Sequence, residues 1–170
     1  MKRNQAIAAY SAIMGVKLNK MSEDMVDAIL ADTLTLSAIN EQFAKVQEEL
    51  RKRTIDTIDQ KSREDYDNIV TKMKALDAQK RAALQAVLND NFADVQKAQG
   101  SYIKALNKWL DKDVVIDLEK VDRKDFIKAM KESEQNITPA DLDVLLPLFK
   151  DSKAISAEID NEEIDSLLAE

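Results

Sequence analysis

Between Val16 and Gln99 the chain contains neither glycine nor proline. These two residues are the usual punctuation of helices, proline by removing a donor and clashing with the preceding turn, glycine by its backbone entropy. A stretch this long without either can hardly be β-sheet with tight turns. It predicts long helices. Whatever closes those helices has to be written in polar side chains.

The apolar spacing supports this. Met25, Ile29, Leu36, Ile39, Phe43, Val46 and Leu50 follow alternating steps of four and three, and only Asp32 interrupts them. That is a heptad seam. A second seam runs through Tyr66, Ile69, Met73, Leu76, Ala83 and Val87, with Lys80 as its interruption, out of phase with the first. Between them lies an uninterrupted polar run from Asp59 to Asp65. Two readings compete. In the first, the polar run is a turn with Ser62 as N-cap, and two long helices fold back as a hairpin. In the second, one helix continues with a register shift. A continuous helix over residues 16–99 would be about 125 Å long. A compact domain of this size has a radius of gyration of about 15 Å. Such a rod would need a partner chain to bury its seam, which favours the hairpin.

Local signals fill in the rest. Residues 1–20 predict a short helix from about Asn4 to Met14, stopped at Gly15. Met1-Lys2-Arg3 and the small apolar residues after them open like a signal peptide, but Tyr10, Ser11 and Lys17 break the apolar segment. Ser22 is an N-cap with Glu23 and Asp24 behind it, and Met21 and Val26 form a staple. The helix after Val95 should fray near Gly100. A new one should then start at Ser101, carrying Trp109, the single tryptophan. Trp109 reads either as a core anchor or as an interface hot spot. Val114 to Leu118 is β-like but has no visible partner strand. Asp122 with Asp125, and Thr138 with Pro139 and Asp141, are two helix starts of one grammar; Pro147 should end the second helix. The fold class is therefore all-α: a long helical hairpin or coiled-coil-like helices followed by a small C-terminal helical unit. The expected segments are a short helix at 1–20, the hairpin or coiled coil at 21–99, a three-helix unit at 100–150 and an acidic amphipathic tail at 151–170.

Composition narrows function mainly by exclusion. The chain has no cysteine and no histidine. Thiolate metal sites, disulfides and His-based nucleophile pairs are excluded. Two glycines in the chain cannot write a phosphate-cradling loop. Asp111, Asp113 and Asp117 are spaced loosely like a calcium loop, but Ile116 and Asp122 fall where glycine and a bidentate glutamate are required. No catalytic residue, cofactor or metal ligand is expected.

Charge comes in blocks: four bases and no acid in residues 1–20, seven acids and one base in 21–50, twelve bases and eight acids in 51–110, seventeen acids and eight bases in 111–170. The bases at Arg51, Lys52, Arg53, Lys72, Lys74, Lys80 and Arg81 are interleaved with acids, as on a solvated helix face, so nucleic acid is not an expected partner. No apolar run approaches the length of a membrane span.

The expected function is a non-enzymatic protein–protein interaction or assembly protein, of the type found among phage and bacterial structural, scaffolding and accessory components. It would be cytoplasmic or part of a macromolecular assembly such as a virion, and a homo-oligomer or a piece of a larger complex. The alternative is an acidic inhibitor or adaptor that docks on a basic protein surface. The candidate partner-binding residues are Ile39, Phe43, Val46 and Leu50 on the first seam and Ile159, Ile164, Leu167 and Leu168 in the tail. Within the tail, the string from Glu163 to Leu168 resembles the short peptide by which flagellar switch proteins are bound by response regulators; no function is carried over from it.

Overall fold

A computed structural model describes residues 1–150. Within them the chain is mostly helical, with no strand among the described residues. The α-helices are α1 (Arg3–Ile13), α2 (Glu23–Arg53), α3 (Gln60–Met73), α4 (Ala78–Asn91), α5 (Ala93–Leu110), α6 (Arg123–Glu132) and α7 (Pro139–Leu145). Short 3-10 turns follow α2 (Ile55–Thr57) and α7 (Leu146–Leu148). None of the described helices is long and apolar enough to cross a membrane.

The helix starts are chemical. The Asp59 carboxylate accepts the Ser62 N–H at 2.9 Å, and Asp77 accepts that of Lys80 at 2.9 Å. Asp122 accepts from Lys124 and Asp125. At α7 the capping box is complete: the Asp141 N–H donates to Thr138 Oγ1 at 3.2 Å and the Thr138 N–H to Asp141 Oδ2 at 2.8 Å. These hydrogen bonds hold the carboxyls of Asp59, Asp77, Asp122 and Asp141 below the usual carboxylate range. Helix α6 ends differently. The Gln135 N–H reaches Met130 O at 3.0 Å and the Glu134 N–H reaches Lys131 O at 3.1 Å, with Glu134 at φ 54°. This is a Schellman ending with glutamate where glycine is usual.

Several expectations change. The break after α2 comes at residues 54–59, and Asp59 caps α3; Ser62 supplies the N–H instead of the cap. The second seam does not lie on one helix. Asp77 draws off the Lys80 N–H and restarts the chain as α4, and Phe92, at φ −129° and ψ 29°, separates α4 from α5. Leu88 takes the buried place expected of Val87, which is exposed. Gly100 neither frays nor ends a helix: α5 runs unbroken through it. A single glycine costs a helix only about 1 kcal/mol, and buried Val95, Ala105 and Trp109 hold α5 on both sides of it.

Contacts divide the described chain into two units. The first joins residues 1–44 with 109–150. The three-helix unit expected at 100–150 therefore has no core of its own. Phe126, Met130, Leu145, Leu148 and Phe149 share one with Ala6, Ala9 and Ile13 of α1 and with Met25, Ile29, Leu36 and Ile39 of α2. An extended strap over residues 114–121 completes it, with Val114, Ile116 and Leu118 turned inward at the period of two of an extended chain. The second unit, residues 45–108, holds the end of α2, then α3, α4 and most of α5. Val46, Leu50, Leu88 and Val95 are buried there, and Tyr66 meets Phe92 edge-on at 6.0 Å.

Candidate functional site

The first seam is internal. Leu36 and Leu50 are fully buried, Ile39 and Val46 nearly so, and Phe43 is half-buried and stacked on the Trp109 ring at 5.8 Å. Trp109 itself is 0% exposed and lies under the Arg3 guanidinium, 4.6 Å from the ring centre. It is a core anchor. Of the residues expected to meet a partner, Ile39, Phe43, Val46 and Leu50 are thus turned into the chain's own interior. Ile159, Ile164, Leu167 and Leu168 lie outside the described residues. Burying the seam removes the need for a sister chain that a bare heptad pattern suggests, because enough apolar surface is available within this chain.

Two other features stand out. One is Asp32, the residue that interrupts the seam. It is 1% exposed in the first unit. Its Oδ1 accepts the Glu119 N–H at 2.7 Å, while its Oδ2 is buried with no hydrogen-bond partner. The reason lies in the strap. An extended segment carries N–H groups that a neighbouring strand would normally satisfy. At its two ends the strap finds such neighbours in isolated β-bridges, with Val114 N–H donating to Met1 O at 2.7 Å and Val121 N–H to Leu148 O at 3.0 Å; between them the Glu119 N–H goes to Asp32. The carboxyl therefore stands in for a missing strand. A cleft lined by Ala31, Asp32, Thr35, Asp117, Leu118, Glu119 and Lys120 opens beside it. Burial pushes the Asp32 pKa up to about 7, against the lowering effects of the Glu119 N–H and the Lys120 charge. The same burial lowers the Lys120 pKa, and its ammonium donates to Pro147 O. No group of three or more metal-ligating side chains that could hold an ion occurs among the described residues.

The other feature is the outward face of α2. Leu30 is 48% and Leu34 73% exposed. With Asp27, Ala38, Glu41 and Lys45, also exposed, they follow steps of three and four and so share one side of the helix. Neither feature is among the sites that the sequence points to. For Asp32 the signal was present, as the single break in the first seam. For Leu30 and Leu34 it was weaker: two leucines that belong to no seam.

Comparison with protein-family models, with curated proteins and with solved structures finds no match for this chain.

Proposed function

We propose that this chain is a non-enzymatic interaction or assembly protein that self-associates through the outward face of α2. The observation that carries the reading is the pair of leucines, Leu30 and Leu34, left in water one turn apart on a helix whose opposite face is already buried. A contiguous apolar strip on an otherwise charged surface is a common mark of a protein contact. Charge supports a second copy as the partner. Asp27 and Lys45 lie equally far on either side of residue 36, so an antiparallel pair of α2 helices brings Asp27 of one copy toward Lys45 of the other. Coiled-coil-like pairing of α2 thus belongs to its outer strip. Such a protein suits a scaffolding or accessory place in a phage or bacterial assembly. The absence of histidine and cysteine supports the non-enzymatic reading.

The lack of native cysteine makes the test clean. Leu34→Cys, treated with a short bis-maleimide, should cross-link into a dimer at micromolar concentration, while Lys128→Cys on exposed α6 should not. Equal, slow cross-linking at both positions would sink the proposal. A second reading has one observation in its favour: Asp27 and Glu41 give the strip an acidic rim, as an inhibitor or adaptor docking on a basic protein surface would have. That complex would weaken steeply with salt. Dimer cross-linking that persists in high salt would count against it.

A further inference from the structure

We propose that Asp32 is a proton-operated latch on the strap 114–121: with the carboxyl neutral the strap is held closed against α2, and with it ionised the strap opens around Glu119. The geometry carries this. In the middle of the strap the Glu119 N–H donates to the Asp32 carboxyl at 2.7 Å, and the Lys120 ammonium beside it donates to Pro147 O. The nearest backbone ties lie at its two ends, Val114 to Met1 and Val121 to Leu148. The second carboxyl oxygen is buried without a partner, which suits a bound proton and leaves a full charge there unsolvated. The cleft at this point is lined by polar groups, so a short outward movement of residues 117–120 brings the carboxylate to water.

Three charged groups of the strap act on Asp32. Lys120 favours ionisation, and Glu119 and Asp117 oppose it. Lys120 is drawn toward Pro147 O, on the segment after α7. Opening therefore separates Asp32 from two like charges and one opposite charge, and it hydrates the carboxylate. Ile116 and Leu118, buried on the inward side of the strap, become accessible in the open form. The direction is unusual: the strap is tightest in mild acid and loosens toward neutrality.

Amide hydrogen exchange of the full chain tests this. After correction for intrinsic exchange, protection of the Glu119 amide, the one bonded to Asp32, should fall roughly fifty-fold between pH 5 and pH 7. It should fall with little dependence on low urea, as a local opening requires. Asp32→Asn should abolish the pH dependence, and Asp117→Asn should retain it. A strap whose amides share the urea dependence of the α1 amides opens only with the whole fold, and that result overturns the latch. So does protection in the wild type that is the same at both pH values, a measurement that needs no variant. A carbon-13 titration of the Asp32 carboxyl gives the midpoint directly; an ordinary carboxylate value would also overturn it.

Discussion

Asp32→Asn is the substitution with the most sharply defined consequence. It keeps an oxygen to accept the Glu119 N–H and removes the ionisable group. The wild-type carboxyl titrates at about 7 in the folded chain and at 3.8 unfolded. The folded state therefore holds a proton that the unfolded state has already released between those values. Its stabilising effect is complete below the unfolded pKa and is lost as pH rises through about 7. A gap of this size corresponds to about 4 kcal/mol in all, of which about 2.5 kcal/mol falls between pH 5 and pH 8. The chain has no histidine, so no other side chain with an ordinary pKa titrates in that window. The helix-cap carboxylates act in the opposite sense, but only at lower pH, because their pKa values are depressed. Urea denaturation at pH 5, 6, 7 and 8 should thus show the wild type losing stability across the series, while Asp32→Asn stays nearly flat. The absolute difference at one pH also contains the cost of the unpartnered amide N–H, so the slope is the quantity to compare. Parallel curves for the two proteins would refute the reasoning.

Other substitutions test the packing and the helix ends. Trp109→Ala, which removes a fully buried ring together with its Arg3 and Phe43 contacts, should cost about 3–5 kcal/mol in urea denaturation. Gly100→Ala should raise stability by about 0.5–1 kcal/mol, because Gly100 is inside α5 and a methyl group there meets nothing within 4 Å. Glu134→Gly should give a gain of about 0.5–1 kcal/mol by relieving the positive φ at the end of α6. Thr138→Ala should cost about 1 kcal/mol, seen as a lower denaturation midpoint at unchanged slope.

The parts of this fold that could be read from the sequence are those fixed by neighbours in the chain. The Asp122 and Thr138 caps and the stop at Pro147 all depend on side chains within a few residues of the backbone they govern. What could not be read depends on distant surface. Gly100 looked like a boundary because its cost is local, whereas the packing of Val95, Ala105 and Trp109 that outweighs it is not. Asp77 was hidden because an aspartate within an apolar repeat looks like a solvated residue until its carboxylate is seen to take the Lys80 N–H. The seam could be found, but what it packs against could not: a heptad pattern states that a face is buried and is silent on whether its own chain or another covers it. Asp32 was visible as an anomaly. Its role needed the strap, 87 residues further along, to be brought beside it.

The central claim, that the outward leucines of α2 join two copies of this chain, is tested most directly by sedimentation velocity over a hundred-fold range of concentration. The wild type should shift from monomer to dimer as concentration rises. Leu34→Glu should stay monomeric, with the wild-type denaturation midpoint at concentrations low enough for both to be monomers, since Leu34 is 73% exposed and contributes little to the core. A wild type that remains monomeric throughout, or a Leu34→Glu variant that dimerises as readily as the wild type, would contradict the account.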